Sequence, residues 1–306
     1  MLSRNSRMMT APIRCAGIRQ EISIQRPIEA RMDPEEDQLF EVARRQLLLA
    51  RGFDLSGYSR SFVLRAIKKR IARTKSRDFP AYTSLLRRDD AEVGELVSAL
   101  SINVTDFFRD KGAFEAFSAK VIRPMLVAKN TPIGGIIRIW SAGCATGQEP
   151  YTLAICLEEA VRCIEGENRT IASVLGTDIS QPAIDAARKG VYSLEQVKGV
   201  PERFLREYFA KTDEGYEVSE ALRRRVRFSR NNLLSSPVST HFDAVVCRNV
   251  VIYFARPMHD RVLMTLHGSL RVGGYLMIGR TETLMGLPRD MFESVDADNR
   301  IYRKIA

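Results

Sequence analysis

Apolar residues in the first third of the chain recur at intervals of three and four, which places them on one face of an α-helix. The first such stretch is Leu39–Leu48. The acidic segment Asp33–Glu36 before it contains a capping residue and an early proline, which favour a helix start. Gly52 favours the end of that helix. We predict that residues 33–102 form a small all-helical domain.

The next predicted helix, about Ser59 to Lys75, is amphipathic and has a basic polar face. Its apolar arc consists of Phe62, Val63, Ala66, Ile67 and Ile71. The cations opposite this arc are Arg65, Lys68 and Lys69, with Arg73 at the margin. Arg70 falls within the arc and is expected to extend its guanidinium to the surface along an apolar stem. The basic face is either a solvated surface or a docking surface for acidic partners.

From about residue 136 the pattern changes to short apolar runs that alternate with helical stretches. The predicted strands are Ile136–Ser141, Ile171–Thr177, Phe242–Cys247 and Gly274–Gly279. The predicted helices between them are Glu149–Ile164, Gln181–Lys189 and Pro257–Leu270. This alternation is typical of an α/β fold whose largely parallel sheet carries helices on both faces. Two β-rich stretches within Met291–Ile305 predict an antiparallel hairpin at the sheet edge.

Two parts of the chain fall outside this alternation. Residues 191–230 are too long for a simple connection between a strand and a helix, so we predict a small β-rich insertion there. Its candidate strand positions are Tyr216, Val218, Val226 and Phe228. Residues 1–32 are basic and lack periodicity, which predicts a disordered extension. The second domain would then comprise residues 103–306.

Composition narrows the class of protein. The chain has 306 residues, of which 45% are hydrophobic and 27% charged, as in ordinary soluble globular proteins. No apolar run approaches the roughly 18 residues of a membrane span, and the basic start lacks the apolar core of a secretory signal. The five cysteines and three histidines form no disulfide or metal-ligand pattern, so we predict a cytoplasmic protein with reduced thiols and no metal. The net charge of +10 indicates an anionic partner without identifying it.

A strand, a glycine-bearing turn and a helix start follow one another between Arg138 and Tyr151. In open α/β sheets, ligands bind beyond the carboxyl ends of strands, where glycines such as Gly143 and Gly147 let the backbone approach them. The spacing differs from the GxGxxG fingerprint of dinucleotide enzymes and lacks the lysine of a phosphate loop. It suits a ligand with a cationic amino-acid group better than a pyrophosphate.

Asp178 ends the next predicted strand. An acid at this position accepts hydrogen bonds from the ribose hydroxyls of nucleoside cofactors. Asp178 is also a candidate N-cap for the helix that begins at Gln181. The glycine-bearing turn and Asp178 together favour a nucleoside cofactor.

Five motifs make a resemblance specific. They are Ser101–Asp110, Trp140–Tyr151, Thr177–Ile179, Phe242–Phe254 and Gly273–Glu282, in this order. Together they resemble the signature set of the CheR-type chemotaxis receptor methyltransferases, over a span from about Asp33 to the C-terminus. The resemblance implies an all-helical N-terminal domain, a Rossmann-like S-adenosylmethionine-dependent methyltransferase domain and a small antiparallel β subdomain. It also implies that the methyl acceptors are glutamate carboxylates on the acidic methylation helices of chemoreceptors.

The same resemblance implies the site residues. Those expected to contact S-adenosylmethionine are Asn103, Thr105, Arg109, Glu149, Asp178, Asn232, Leu233, Arg248 and Asn249. Arg109 and Tyr253 are expected beside the reacting methyl group. A glutamate has a reference pKa of about 4.3, so at neutral pH it is already an anionic nucleophile, and transfer needs alignment rather than a general base. The absence of an evident nucleophile–base pair from the sequence agrees with such a reaction.

The sequence departs from the family pattern at a few places. Gln148 stands where the family usually has a second glutamate, and Arg280 replaces a common histidine. The loop Lys211–Tyr216 is short, which resembles members that do not need a tethering peptide at the receptor tail.

Two alternatives stay open. One is a signalling module that binds S-adenosylmethionine but no longer catalyses, although both Arg109 and Tyr253 are retained. The other is a nucleic-acid methyltransferase, which the net charge of +10 would suit. Enzymes that modify base amines carry an Asn/Asp-Pro-Pro-Tyr-like motif to hold a flipped base, whereas this chain has Cys247–Val251 there. We therefore expect receptors rather than nucleic acid as partners, and contact with the membrane only through them.

Overall fold

A computed structural model of the chain describes residues 33–100, 105–164, 169–234, 241–284 and 290–305. The extension predicted for residues 1–32 lies outside these ranges. The first helices are α1 (Pro34–Arg51), α2 (Arg60–Thr74), α3 (Phe79–Arg88) and α4 (Asp90–Leu100). The later helices are α5 (Lys111–Phe117), α6 (Arg123–Lys129), α7 (Gln148–Arg162), α8 (Gln181–Lys189), α9 (Leu194–Val197), α10 (Glu202–Tyr208), α11 (Glu220–Arg225) and α12 (Arg256–Ser269). A π-helical turn at Ser118–Ile122 joins α5 to α6, and a 3₁₀ turn occupies Val251–Tyr253.

The strands form a large sheet and a small one. They are β1 (Ile136–Ala142), β2 (Ile171–Asp178), β3 (Val191–Tyr192), β4 (Phe209–Thr212), β5 (Gly215–Val218), β6 (Val226–Arg230), β7 (Phe242–Cys247), β8 (Leu270–Ile278), β9 (Phe292–Asp296) and β10 (Ile301–Lys304). Among the described helices, none combines the length and the apolar content that a bilayer crossing requires.

Helix α1 begins and ends where its sequence predicts. The carboxylate of Asp33 accepts the backbone N–H of Glu35 at 3.1 Å, which satisfies one of the free donors of the first turn. Gly52 has a φ of 63° and donates its N–H to the carbonyl of Leu48 at 2.9 Å, which closes the last turn. The prediction of a helical unit after residue 33 is confirmed, and α1 to α4 pack around buried residues such as Leu47 and Ile67.

The position of Arg70 contradicts the prediction that its guanidinium extends to the surface. Its side chain does not reach for solvent but lies 7% exposed between α2 and α4. Its Nε and Nη2 donate to the two carboxylate oxygens of Glu92 at 2.9 and 2.6 Å, and Nη1 donates to Glu95 at 3.0 Å. The hydroxyl of Tyr82 donates to the same Glu92 carboxylate at 2.8 Å. A cation in an apolar arc is tolerated here because a buried acid on another helix pairs with it.

The large sheet has the strand order β6-β2-β1-β7-β8-β10-β9. The pairs from β6 to β8 are parallel, and β10 is antiparallel to both β8 and β9. The predicted α/β architecture and the C-terminal hairpin are therefore confirmed. Strands β2 and β7 lie on opposite sides of β1, so the carboxyl ends of these three parallel strands meet at the point where ligands bind in open α/β sheets.

The small sheet has the order β3-β5-β4 and is antiparallel. Tyr216 and Val218 lie on β5, as predicted. Val226 and Phe228 do not belong to this insertion, because they lie on β6, which pairs with β2 at the edge of the large sheet. Local alternation identifies strand residues but not the sheet that they join, and this is why the prediction was wrong for these two.

The helical unit shares a core with one face of the large sheet. Ser59 donates its N–H to the carbonyl of Tyr253 at 2.9 Å, and Ala255 donates to the carbonyl of Gly57 at 2.8 Å. The ring of Tyr58 lies 5.1 Å from the ring of Phe254. These contacts hold the start of α2 against the residues that follow β7.

Candidate active site

A cleft of about 960 Å³, counted with its opening to solvent, lies beyond the carboxyl ends of β1, β2 and β7. The sequence-predicted residues that line it are Thr105, Arg109, Glu149, Asp178, Asn232, Leu233, Arg248, Asn249 and Tyr253. Asn103 lies outside the described residues. The structure thus brings residues from distant motifs to one cavity.

Asp178 ends β2 with its carboxylate largely removed from water. Its Oδ2 accepts the backbone N–H of Ala145 at 2.9 Å, and its Oδ1 accepts that of Ser180 at 2.9 Å. Burial raises the pKa of Asp178, and the backbone donors oppose that rise. Ser180 rather than Asp178 caps α8, since its hydroxyl accepts the N–H of Ala183 at 3.3 Å. The N-cap alternative for Asp178 is therefore wrong, and its carboxylate faces the cleft.

The turn after β1 depends on glycine. Gly143 has a φ of 77° and donates to the carbonyl of Thr177 at 2.8 Å. A Cβ at Gly143 would lie 2.4 Å from the side chain of Val250. Any larger residue would therefore push the loop after β7 away from the turn and change the floor of the cleft.

Glu149 and Arg248 form a buried charged pair. Glu149 lies in the first turn of α7, and its Oε1 accepts the hydroxyl of Ser141 at 2.7 Å. Burial raises the pKa of Glu149, whereas the charge of Arg248, 3.9 Å from its Oε2, lowers it. The side chain of Arg248 is 2% exposed, donates to the carbonyl of Arg109 at 2.9 Å and pairs with Asp110. Arg248 therefore ties the loop of Arg109 to the end of β7.

The loop that carries Arg109 is strained. Phe108 and Asp110 have φ values of 54° and 59°, a conformation that non-glycine residues adopt only when their surroundings hold them. Thr152 accepts the N–H of Phe108 at 3.2 Å. Arg109 itself is exposed at the rim of the cleft. The backbone on either side of this rim cation is thereby held in place.

Tyr253 lies on the 3₁₀ turn after β7, with its ring 4.9 Å from the ring of Phe62 of α2. Burial raises the pKa of Tyr253, and the charge of Arg109 opposes that rise. The phenol is therefore neutral at physiological pH and is able to donate a hydrogen bond.

Tyr58 and Asn231 are among the cleft residues that were not predicted from the sequence. Tyr58 reaches the cleft from the helical unit, and Asn231 precedes the predicted Asn232. The amide Nδ2 of Asn231 and the amide Oδ1 of Asn249 are buried and have no hydrogen-bond partner among the residues that the structure describes. A neighbouring predicted residue was a signal for Asn231, whereas nothing in the local sequence pointed to Tyr58.

The departures from the family pattern lie outside the cleft lining. Gln148 is buried, and its side-chain oxygen accepts the hydroxyl of Thr146 at 2.8 Å within the turn. Arg280 is exposed. A neutral residue at position 148 is therefore accommodated by a local hydrogen bond. Within the described ranges, no group of three or more histidine, cysteine or acidic side chains is placed to hold a metal ion.

Comparison with known families decides the class of this site. Residues 38–101 match the model of the CheR methyltransferase all-alpha domain. Residues 103–301 match the model of the CheR methyltransferase SAM binding domain. The chain belongs to the CheR methyltransferase family. It is accordingly a methyltransferase that depends on S-adenosylmethionine.

Relatives of this CheR-family chain include proteins named for chemotaxis. It is 39% identical over 212 residues to chemotaxis protein methyltransferase 1 of Pseudomonas aeruginosa, which covers 68% of this chain and 76% of that one. It is 32% identical over 255 residues to a chemotaxis protein methyltransferase of Listeria innocua, with 83% and 92% covered. It also matches an uncharacterized 104.1 kDa protein of Rhodobacter capsulatus at 34% identity, of which it spans only 26%.

The cleft fits S-adenosylmethionine by its own chemistry. The unpartnered amide atoms of Asn231 and Asn249 leave one donor and one acceptor for a ligand to satisfy, and buried polar groups are rarely left unpaired. The Glu149–Arg248 pair offers both charges to a zwitterionic amino-acid group. Gly143 lets the turn after β1 pack against Val250, which also lines the cleft.

Proposed function

We propose that this methyltransferase esterifies glutamate side-chain carboxylates on the cytoplasmic part of chemotaxis receptors. The products would be glutamate methyl esters and S-adenosylhomocysteine. The observation that supports the proposal is a cofactor cleft whose lining includes Arg109 and Tyr253, in a chain whose relatives include proteins named chemotaxis protein methyltransferases.

In this proposal, different residues of the cleft contact different parts of the cofactor. When bound, S-adenosylmethionine supplies an electrophilic methyl group on a sulfonium. Asp178 would accept the ribose hydroxyls, because it presents a carboxylate at the end of β2. Glu149 and Arg248 would hold the amino-acid group, since they are the buried charged pair of the cleft. Asn231 and Asn249 would form hydrogen bonds to the cofactor through their unpartnered amide atoms.

The remaining residues act on the acceptor. A glutamate carboxylate needs no base at neutral pH, so the site has to align it with the methyl group and exclude water. Arg109 would orient the incoming carboxylate by its charge. Tyr253 would place its neutral hydroxyl beside the transferring methyl group, with its ring held by Phe62.

The test is transfer of labelled methyl groups from S-adenosylmethionine to receptor cytoplasmic fragments. We expect label on the receptor that is released as methanol by mild base, as a carboxyl ester requires. Cofactor binding without any transfer would instead indicate the non-catalytic signalling module. Label that resists base would show a different acceptor atom.

Tyr253→Phe separates binding from turnover. We expect nearly unchanged S-adenosylmethionine affinity, because the ring that packs on Phe62 is kept, and a lower kcat, because the hydroxyl acts only beside the methyl group. Calorimetry and initial rates measure the two effects. A collapse of affinity, or an unchanged kcat, would make Tyr253 a packing residue. Tyr208→Phe, which removes a hydroxyl bonded to Glu159 and outside the cleft lining, is the matched control.

The basic face of α2 is the proposed docking surface for acidic receptor helices. Arg65, Lys68, Lys69 and Arg73 are all exposed. Lys68 pairs with Glu36 of α1 at 2.5 Å, so part of its charge is neutralised. In the part of the chain that the structure describes, Arg65, Lys69 and Arg73 form no ion pair, and these three cations carry the proposal.

Neutralising Arg65, Lys69 and Arg73 together should raise the KM for receptor and leave cofactor affinity unchanged. Charge complementarity speeds encounter, and salt screens it over roughly 10 Å at 0.1 M, so the salt dependence of the rate should also flatten. The measurement is methylation rate against ionic strength. A control removes three other exposed cations of the helical unit, Arg45, Arg87 and Arg88. Equal curves for both triple variants would show that the face is merely solvated.

A further inference from the structure

Glu282 is a buried carboxylate beside the cleft for which the sequence indicates no role. It is 4% exposed, and its own N–H donates to the carbonyl of Gly279 at 2.9 Å in the turn after β8. Its two oxygens accept four backbone N–H groups. Oε2 accepts from Gly279 at 2.6 Å and from Asn249 at 2.9 Å. Oε1 accepts from Val250 at 2.9 Å and from Val251 at 2.7 Å.

Three of these donors belong to the loop that leads from β7 into the 3₁₀ turn Val251–Tyr253. The first N–H groups of a helical turn have no partners within it, and they favour a negative charge. Asn249 has a φ of 59°, which a non-glycine residue keeps only when its surroundings hold it. The Glu282 carboxylate provides that hold, because it binds the N–H groups of Asn249 and of the two residues after it.

The turn of Gly279 is fitted to this carboxylate. A Cβ at Gly279 would lie 2.7 Å from Oε2 of Glu282 and 2.9 Å from the backbone nitrogen of Asn249. Only glycine therefore lets the carboxylate and the loop approach each other so closely. The close approach and the hydrogen bonds together show that Glu282 and the loop form one unit.

We propose that Glu282 is a positioning residue for methyl transfer. It fixes the backbone of Asn249–Val251 and, through it, the side chains of Asn249 and Tyr253 that line the cleft. Its oxygens are occupied by backbone donors, so it acts through the loop and does not contact a substrate. The inference goes beyond the proposed function, because cofactor binding reports on the loop whichever acceptor is methylated.

Glu282→Gln is the direct test. Glutamine keeps the shape of the side chain but replaces one oxygen with an amide nitrogen, which donates and does not accept, so two loop or turn N–H groups lose their acceptor. We expect S-adenosylhomocysteine affinity to fall about tenfold, the change that about 1.4 kcal/mol produces, and kcat to fall at least as much. Adding Tyr253→Phe to this variant should lower kcat less than it does in wild type, because coupled residues are not additive.

Asp243→Asn is the matched control. Asp243 is also a buried carboxylate with several partners, Lys129, Arg271 and the N–H of Arg138, but it lies at the opposite end of β7. The Asp243→Asn substitution should lower the melting temperature and leave the S-adenosylhomocysteine affinity and the kcat of the folded enzyme unchanged. Gly279→Ala is a second variant that crowds the same carboxylate without removing it, and it decides the question if Glu282→Gln fails to fold.

The proposal is overturned if folded Glu282→Gln or Gly279→Ala matches Asp243→Asn, with lower melting temperature but normal affinity and kcat. Fully additive effects of Glu282→Gln and Tyr253→Phe would also overturn it. Failure of wild type to methylate receptors would refute the proposed acceptor only, since cofactor affinity still measures the role of Glu282.

Discussion

Asp178→Ala is expected to weaken S-adenosylmethionine binding roughly 10- to 100-fold, since a hydrogen bond to a charged group contributes about 1.5–3 kcal/mol. This variant loses two sets of hydrogen bonds. The ribose loses its proposed acceptor, and the N–H groups of Ala145 and Ser180 lose theirs, which loosens the glycine-bearing turn beside it. Isothermal calorimetry measures the effect on the folded protein.

Two further variants sharpen this test. Asp178→Asn keeps one acceptor oxygen and should give an intermediate loss of affinity. Asp185→Ala removes an exposed acid of α8 that pairs with Arg188, and it should leave affinity unchanged. Wild-type affinity in Asp178→Ala would remove Asp178 from the cofactor site.

Arg248→Met is expected to lower the free energy of unfolding by about 3 kcal/mol, because removing one partner of a buried ion pair leaves an uncompensated charge. Methionine keeps much of the volume of the arginine stem, so the change isolates the guanidinium. Glu149 would stay buried without its cation, and the carbonyl of Arg109 and the carboxylate of Asp110 would lose their donors. Urea denaturation measures the loss, and cofactor affinity should fall with it.

The control for this variant is Arg224→Met. Arg224 pairs with Glu220 one helical turn away at 2.5 Å, but its side chain is 74% exposed. Exposed pairs contribute roughly 0–1 kcal/mol, so stability should barely change. If the free energy of unfolding fell by a similarly small amount in both variants, water rather than Arg248 would stabilise the charge of Glu149.

Much of this fold can be predicted from local sequence patterns. The change from helical spacing to alternating strands and helices near residue 136 predicts where the α/β sheet begins, and it does so because burial of one face imposes a fixed period on each element. The C-terminal hairpin follows for the same reason. Val226 and Phe228 show the limit of this logic, since their alternation is that of a strand in either sheet.

The site residues that lie at the ends of strands or within the matched motifs could be predicted from the sequence. Asp178, Glu149 and Arg248 belong to this group, and the structure places them in one cleft. Whether they bind and catalyse as proposed remains a prediction that the variants above measure. The partners of Arg248, namely Asp110, the carbonyl of Arg109 and Glu149, come from separate segments and could not be inferred from spacing.

By itself, the sequence determined the class of fold, the family and the residue types of the cofactor cleft, because periodicity and motif spacing are local properties of the chain. Only the tertiary structure decided that Arg70 pairs with Glu92, that Tyr58 joins the cleft from the helical unit, and that Glu282 holds the loop of Asn249. Each of these depends on contacts between segments far apart in sequence. A buried charge or an unpaired N–H group takes whichever partner the packed chain brings within about 3 Å, and that partner is set by the fold as a whole.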